Sequence, residues 1–318
     1  MPFQEFSQGT EIRAERLAGL RVLANLMPLH RQRRILNDQA GAHTSRLRGR
    51  GIDFSEVREY QPGDDIRSMD WRVTARTGDA HIKVFREERE RPVIVACDLR
   101  ASMNFGTRRA LKRVVAADLA ALIAWSAAAH GDRVGGLVFN DEIERDLRPH
   151  TGRKTLMAFL HQLASVPVSA HQPGRERMQQ VCRHLARIAR PGSAVYLISD
   201  FQGFDRDCEQ ILLAVARHCD LIMVHISDPF ESQPPVGEFA VTNGQQTQPW
   251  RLTPSAAQAR QHAFQQQLDA LHQHCRHLRA SLVPVSTAYD PLDQMRQGLG
   301  LNDRAATPKS SSGSGAQA

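Results

Sequence analysis

The amino-acid sequence predicts an α/β fold: a doubly wound, mostly parallel sheet with an antiparallel strand at one edge. From residue 92 onward, short apolar runs rich in β-branched residues alternate with longer helical segments, which is the order of βαβ units. The runs are apolar throughout, as expected for strands that helices cover on both faces. The strand-like runs are Val93–Cys97, Val134–Phe139, Ala194–Ser199, Leu221–Ile226 and Leu282–Val285.

Two departures from this alternation refine the predicted sheet. The run Val134–Phe139 is followed by the turn Asn140-Asp141 and by a second run, Glu142–Leu147, which predicts a hairpin and therefore the antiparallel edge strand. An insertion rich in Pro, Gly and Gln at residues 228–252 predicts a small surface hairpin. The predicted helices of this domain are Arg108–His130, Thr155–Val166, Arg175–Arg190, Arg206–His218 and Ser255–Arg279.

Three further segments flank the main domain, which we place at residues 92–290. Residues 1–40 carry apolar side chains at helical spacing among arginines, which predicts amphipathic helices packed on the main domain. Residues 41–91 form a Gly- and Arg-rich module with short strands around Phe54–Tyr60 and His81–Arg86. The Ser- and Gly-rich residues 302–318 predict a disordered tail.

Composition limits the class of protein. The 318 residues are 41% hydrophobic, which is enough for a full core. No apolar run approaches the roughly 18 residues that cross a bilayer, and the first ten residues lack the pattern of a signal peptide. We therefore expect no membrane insertion and a cytoplasmic location. The five cysteines are odd in number and widely spaced, which predicts reduced thiols.

The basic residues are almost all arginines. Only four of the 41 basic residues are lysines, and most of the formal net charge of +7 comes from arginines in the first 50 residues. Arginine favours bidentate pairing with carboxylates, which points to protein partners. A nucleic-acid binder that uses the N-terminal arginines is an alternative, but few aromatic residues stand among them to stack on bases.

Acidic residues follow two strands of the predicted sheet. Asp98 ends the first strand, and Asp200 follows the strand Ala194–Ser199. Because the carboxyl ends of parallel strands meet at one edge of a sheet, we expect these two carboxylates to lie side by side.

Short motifs also run in order through residues 41 to about 252. They are Arg58–Arg67, Asp70-Trp71, Ala75–Gly78, Ser102-Met103, Gly131–Gly135, Ile198–Phe201 and Asp228–Glu231. This series resembles the family called domain of unknown function 58. The resemblance implies a von Willebrand factor A-like domain, often encoded beside a MoxR-type AAA+ ATPase and other von Willebrand A proteins. It also implies a role in the assembly or activation of other proteins.

The loop after the first strand resembles the metal-ion-dependent adhesion site of von Willebrand A domains. That site holds Mg²⁺ with an Asp-x-Ser-x-Ser loop, a threonine from a second loop and an aspartate from a third. Asp98, Ser102 and Asp200 match this pattern, whereas Arg100 stands at the first serine position and Ser169 is the candidate in place of the threonine. Two outcomes stay open: the oxygen atoms hold Mg²⁺, or the Arg100 guanidinium neutralises both carboxylates instead of the ion.

The segment from Arg58 to Gly78 predicts a cluster of arginines and carboxylates around a tight turn. We expect Trp71 to cover this cluster. One interpretation is a scaffold that holds the module together, and the other is a docking face for a partner. The candidate partner-binding residues are Arg58, Asp64, Asp65, Arg67, Asp70, Trp71 and, from the main domain, Arg100.

No nucleophile paired with a base is recognisable in the sequence. We therefore predict a non-catalytic, protein-binding adaptor with a degenerate adhesion site, acting with a MoxR-type ATPase. The alternative from another class is a divalent-metal-dependent hydrolase that uses Asp98 and Asp200.

Overall fold

The structure of the chain is a computed structural model. It describes residues 6–7, 9–29, 52–61, 69–87, 90–169, 175–242 and 246–301. The chain divides into two compact units, a main unit of residues 1–36 with 92–318 and a small unit of residues 37–91. Some predicted features lie outside the described residues, namely the second part of segment 1–40, the tail 302–318, and Asp64, Asp65 and Arg67.

The elements alternate in the main unit as predicted. The strands are β1 (Ile52–Glu59), β2 (His81–Glu87), β3 (Pro92–Asp98), β4 (Arg133–Phe139), β5 (Glu144–His150), β6 (Ala194–Ser199), β7 (Asp220–Ser227), β8 (Gly237–Thr242), β9 (Thr247–Leu252) and β10 (Ser281–Ser286). The helices are α1 (Ala14–Gly19), α2 (Trp71–Thr77), α3 (Lys112–Ala129), α4 (Arg153–Ser165), α5 (Arg175–Ile188), α6 (Arg206–Ala216), α7 (Pro229–Ser232), α8 (Pro254–Leu278) and α9 (Pro291–Gly298). A 3₁₀ helix, Leu20–Leu26, follows α1.

A six-stranded sheet forms the centre of the main unit. Its strand order is β5-β4-β3-β6-β7-β10, and every neighbouring pair is parallel except β4 and β5. The predicted α/β fold, with a mostly parallel sheet and an antiparallel edge strand, is confirmed. Alternate residues of β3 pack into separate apolar clusters on the two faces of the sheet, so the strand is buried on both sides.

The insertion after β7 contains a separate hairpin. Strands β8 and β9 pair antiparallel, with Gly237 opposite Leu252 and Thr242 opposite Thr247. Rings cluster at its base, where Phe230 of α7 contacts Phe239 and Trp250 at centroid distances of 5.4 and 5.7 Å. Aromatic packing against α7 therefore anchors the hairpin to the rest of the main unit.

Helix α3 is buried on almost its whole circumference. Every residue from Lys112 to Ala127 is buried, because the sheet covers one side and the N-terminal segment covers part of the other. Leu17, Leu20 and Met27 enter the same apolar cluster as α3, and each such burial is worth about 1.5–3 kcal/mol. The Ala-rich composition of α3 follows, since small side chains allow close packing on both sides.

Polar contacts fix the N-terminal segment on α3. The Trp125 indole donates a hydrogen bond to the Leu17 carbonyl at 2.9 Å. The backbone N–H and the hydroxyl of Ser7 donate to the two oxygens of Asp118, at 2.8 and 2.7 Å. Burial raises the pKa of Asp118 to about 6, although the two hydrogen bonds from Ser7 oppose that rise. The buried Asp118 carboxyl thus holds Ser7, near the start of the described residues, against α3.

We expect Asp118→Asn to change how stability depends on pH. A carboxyl whose pKa is raised from 3.8 to about 6 stabilises the fold below pH 4, and this contribution is lost as the pH rises through 6. The asparagine does not titrate, so the stability of the variant relative to wild type should increase by up to about 3 kcal/mol between pH 4 and 7. Urea denaturation at several pH values measures this difference, and a pH-independent difference would contradict the prediction.

The small unit combines a hairpin with a short helix. Strands β1 and β2 pair antiparallel, with Glu59 opposite His81 at one end. The Asp70 carboxylate caps α2 by accepting hydrogen bonds from the backbone N–H groups of Arg72 and Val73, at 3.0 and 3.3 Å. The helix ends at Gly78, whose φ of 85° favours glycine.

Across the described ranges, no helix is both long enough and apolar enough to span a membrane.

Candidate functional site

The site lies at the carboxyl edge of the parallel sheet, between its two central strands. Strands β3 and β6 are neighbours, and from this pair the chain winds outward through β4 and β5 on one side and through β7 and β10 on the other. This reversal of strand order opens a crevice, where α/β sheets commonly bind ligands. Asp98 is the last residue of β3 and Asp200 follows β6, so both acids stand at this crevice.

Asp98 is fully buried and bound on both oxygens. Arg100 donates to it from Nε at 3.0 Å, from Nη2 at 2.8 Å and from its backbone N–H at 2.9 Å. The Ser199 hydroxyl donates a further hydrogen bond at 2.6 Å. Both Asp98 and Arg100 have no exposed surface. Burial opposes the charge of Arg100, but Asp98 outweighs that effect and the guanidinium pKa is raised.

Asp200 is shared between two cations. Its Oδ2 accepts a hydrogen bond from Lys112 Nζ at 2.9 Å, and its Oδ1 lies 3.8 Å from Arg100 Nη2. Burial alone would raise the pKa of Asp200, but the charges of Lys112 and Arg100 outweigh it, and the pKa is lowered. The expectation that Asp98 and Asp200 lie side by side therefore agrees with the structure, with Arg100 between them.

The charges continue outward through Lys112. Lys112 Nζ also donates to Glu231 Oε1 at 2.6 Å, and the two carboxylates raise the lysine pKa although burial opposes this. We call the series Asp98, Arg100, Asp200, Lys112 and Glu231 the charge chain. Glu231 is the member nearest to solvent, since its side chain is 29% exposed and those of the other four are at most 6% exposed. The charge chain is closed to solvent except at Glu231.

The loop after β6 adopts a strained conformation beside the charge chain. Phe201 has a φ of 55°, a left-handed backbone that is uncommon for a bulky residue. Its backbone N–H donates to Ser199 Oγ at 2.8 Å, and its ring is buried against Phe204. These contacts fix the turn that aims Asp200 at Lys112.

A second buried acid connects three loops of the same edge. Asp228, which follows β7, accepts hydrogen bonds from the backbone and hydroxyl of Thr107 at 2.9 and 2.5 Å, and from the Thr287 hydroxyl at 2.5 Å. Burial opposes ionisation, but these hydrogen bonds outweigh it and lower the pKa of Asp228. The Asp228 backbone N–H donates to Glu231, so this acid also positions the last member of the charge chain.

Four buried polar atoms around the first loop have no hydrogen-bond partner among the residues that the structure describes. Two belong to the loop itself, Arg100 Nη1 and Ser102 Oγ. A third, Asp141 Oδ1, belongs to a carboxylate whose other oxygen accepts from the Ala101 N–H at 2.7 Å. The fourth, Ser169 Oγ, belongs to a residue whose carbonyl accepts from Asn104 at 3.2 Å. An unsatisfied buried polar atom costs about 1–3 kcal/mol, so the cluster calls for an explanation.

The sequence identifies part of this site and misses the rest. Asp98, Arg100 and Asp200 were singled out, and the structure brings them together. Ser102 lies in the short helical turn Ala101–Met103, and its hydroxyl has no hydrogen-bond partner in the described part of the chain. Lys112 and the role of Glu231 were missed. The available signal was a lysine, rare in this chain, at the start of an otherwise apolar helix.

Other residues of reactive type in the main unit have structural roles. Cys97 is fully buried in β3, and burial raises the pKa of its thiol far above the usual range, which suits a core residue. On α8, His274 and His277 both contact Glu209 of α6, at 2.5 and 3.2 Å. Within the described ranges, no group of three or more His, Cys, Asp or Glu side chains is placed to hold a metal ion.

A separate candidate surface lies on α2 of the small unit. Trp71, Arg72 and Arg76 are exposed on this helix, and we call these three residues the α2 face. Trp71 is 67% exposed, and Asp64, Asp65 and Arg67 of the ion cluster that we expect it to cover lie outside the described residues. The helix is held at Thr74, whose hydroxyl accepts a hydrogen bond from the His81 N–H at 3.0 Å.

The α2 face has no partner among the described residues. Helical geometry of about 100° per residue places Arg72 and Arg76 on one side of α2, and Trp71 lies roughly 100–140° around the helix axis from them. Neither arginine forms an ion pair with a described carboxylate, and the indole contacts no other described ring. Arg58, by contrast, donates to the Glu59 carbonyl at 3.0 Å. Exposed Trp and Arg side chains together are typical of protein interfaces.

Comparison with known proteins identifies relatives of this chain. It is 32% identical over 206 residues to uncharacterized protein Rv1480 of Mycobacterium tuberculosis and, equally, to uncharacterized protein Mb1516 of Mycobacterium bovis. The match covers 64% of this chain and 64% of the length of each relative. Among solved structures, an aerotolerance-related membrane protein from Bacteroides fragilis matches with 15% identity and a TM-score of 0.40, over 67% of this chain and all of the other.

The family comparison covers more than half of the sequence. The profile described as protein of unknown function DUF58 matches residues 56–274, a range that runs from β1 through most of α8 and includes the whole charge chain. The chain belongs to the DUF58 family.

Proposed function

We propose that this chain is a non-catalytic, protein-binding adaptor of the cytoplasm that works with a MoxR-type AAA+ ATPase in the assembly or activation of other proteins. The main unit supports a likeness to von Willebrand A domains through its strand order and through the acids at its central crevice. Such domains bind partners at that edge of the sheet. The role as an adaptor and the ATPase partner are inferred from this likeness and from the family resemblance.

The charge chain is the observation that carries the non-catalytic part of the proposal. A general base needs a free oxygen near its substrate and a pKa close to the working pH. Asp98 accepts hydrogen bonds on both oxygens, and Asp200 is bound to Lys112 with a lowered pKa. Neither carboxylate is therefore suited to activate water, which disfavours a hydrolase that uses Asp98 and Asp200.

The α2 face is the surface that we assign to the partner. Trp and Arg are the residue types most often found at binding hot spots, because they combine large contact area with directional hydrogen bonds. Two guanidinium groups that pair with no described carboxylate, on the same short helix as an exposed indole, suit a partner segment that carries carboxylates and an apolar side chain.

We expect the double charge reversal Arg72→Glu with Arg76→Glu to weaken capture of a MoxR-type ATPase from the same organism at least about tenfold, as expected for the loss of hot-spot residues. Trp71→Ala should have a similar effect. Purified full-length chain, immobilised and titrated with purified ATPase, measures the affinity. The matched control is Arg183→Glu with Arg187→Glu, which reverses two exposed arginines at the same spacing on α5 of the main unit.

The control should bind like wild type. Equal losses from both double variants would indicate a general charge effect and would overturn the assignment of the α2 face. If capture required nucleic acid and disappeared after nuclease treatment, the alternative of a nucleic-acid binder would replace the adaptor proposal.

A further inference from the structure

The geometry points to Arg100 as a built-in replacement for the divalent ion of an adhesion-type site. Its guanidinium lies between the two carboxylates that would hold the ion, with Nη2 at 2.8 Å from Asp98 and 3.8 Å from Asp200. The inference concerns the cation of the crevice only, and it stands whether or not the chain binds an ATPase.

The residues as they stand do not fit a divalent ion. A Mg²⁺ ion binds oxygen at about 2.0–2.1 Å and requires a near-octahedral set of oxygen ligands. Arg100 already contacts both oxygens of Asp98, so an ion on that carboxylate would lie against a buried guanidinium. Lys112 occupies Oδ2 of Asp200 in the same way. Two fixed positive charges in a buried crevice repel a third cation strongly.

The unpartnered hydroxyl of Ser102 supports the same conclusion. Among the described residues its buried Oγ makes no hydrogen bond, although it lies two residues from Arg100 on the same loop. An oxygen that faced a metal ion would have this appearance once the ion had been replaced by a side chain that does not reach it. The Arg100 guanidinium uses Nε and Nη2 for Asp98, and Nη2 also donates to the Gln202 carbonyl at 3.1 Å, whereas Nη1 has no partner within the described ranges.

The replacement predicts a specific gain of function. Arg100→Ser removes the guanidinium and adds a hydroxyl, so that position 100 joins Asp98, Ser102 and Asp200 as an oxygen ligand. The variant is expected to bind Mg²⁺ or Mn²⁺, whereas wild type binds neither. Electron paramagnetic resonance of free Mn²⁺ counts bound ions on the full-length chain. At a Mg²⁺ concentration about 100 times the dissociation constant, the melting temperature of the variant should rise by about 5 °C.

Two controls keep the test decisive. Arg113→Ser removes another buried arginine near the same loop, one that donates to Asn104 and to the Val166 carbonyl and to neither acid of the crevice. It should gain no metal binding. Arg100→Lys retains a cation and should gain none either. Arg100→Asn, which also replaces the guanidinium by a side chain with an oxygen ligand, should gain metal binding and is the second variant if Arg100→Ser folds poorly without metal.

Each outcome bears on the proposal. Stoichiometric Mn²⁺ binding by wild type, lost in Asp98→Asn, would overturn it, because the crevice would then hold an ion beside Arg100. A folded Arg100→Ser variant that binds no divalent ion would also overturn it. Metal binding by the Arg100→Ser variant alone supports the replacement, and this readout does not depend on whether any partner protein is captured.

Discussion

Asp98→Ala is expected to lower the free energy of unfolding by about 3–5 kcal/mol, a large part of the stability of an ordinary domain. The substitution leaves the Arg100 guanidinium buried without its main counter-ion, because the nearest remaining carboxylate oxygen, on Asp200, is 3.8 Å away and that group is already bound to Lys112. It also removes the acceptor of the Ser199 hydroxyl. Urea denaturation followed by circular dichroism measures the loss.

A double variant separates the cost of the uncompensated buried charge from the cost of lost packing. If the cost comes from the uncompensated charge, Asp98→Ala with Arg100→Leu should be less destabilising than Asp98→Ala alone, since no buried ion remains. Glu231→Ala is the matched control at the other end of the charge chain. The Glu231 side chain is partly exposed, and Lys112 retains its contact with Asp200 in this variant. The free energy of unfolding should therefore fall by only about 1 kcal/mol. Equal losses from the two single variants would contradict this account.

The fold could be predicted because its signals are local. The fully apolar runs at β3 and β6 indicate strands covered on both faces, and the parallel order of βαβ units then brings their carboxyl ends to one edge. That single rule was enough to place Asp98 beside Asp200 across about a hundred residues. The turn at Asn140-Asp141 likewise marks the antiparallel edge strand, because two strand-like runs so close in sequence can only pair as a hairpin.

The rest of the site depends on contacts that no local pattern records. Lys112 begins the helix α3, and its sequence context resembles an ordinary first turn, but the helix is buried and the ammonium group must find carboxylates within reach. Glu231 belongs to one of the family motifs, but its pairing with Lys112 depends on two segments that are far apart in sequence and meet only in the fold. A tryptophan near arginines and acids suggests a cover, but no local pattern shows that the Trp71 side chain is 67% exposed while α2 is held through Thr74.

Asp228→Ala has the second large expected effect. It should lower the free energy of unfolding by about 3–4 kcal/mol. Asp228 is fully buried and is the shared acceptor for Thr107 after β3 and Thr287 after β10. Its removal takes the acceptor from the buried Thr287 hydroxyl and from the hydroxyl and N–H of Thr107, and it also removes the cap of α7. Three loops at the carboxyl edge would lose their common attachment.

Asp205→Ala is the matched control for this prediction, because Asp205 also caps a helix through its carboxylate, accepting from the Cys208 N–H at 3.0 Å. Asp205 also accepts from Gln179 Nε2 of α5 at 2.9 Å, but among the described residues it does not join loops of the sheet edge. Its loss should therefore be about 1–2 kcal/mol, the value of a helix cap and one further hydrogen bond. The Asp228 carboxyl has a lowered pKa, so its contribution is present at neutral pH and is lost as the pH falls below 4. The difference between wild type and Asp228→Ala should therefore shrink in acid. A difference as small as that of Asp205→Ala, or one that stays constant with pH, would show that Asp228 acts only as a local cap and that the loops are held together by other contacts.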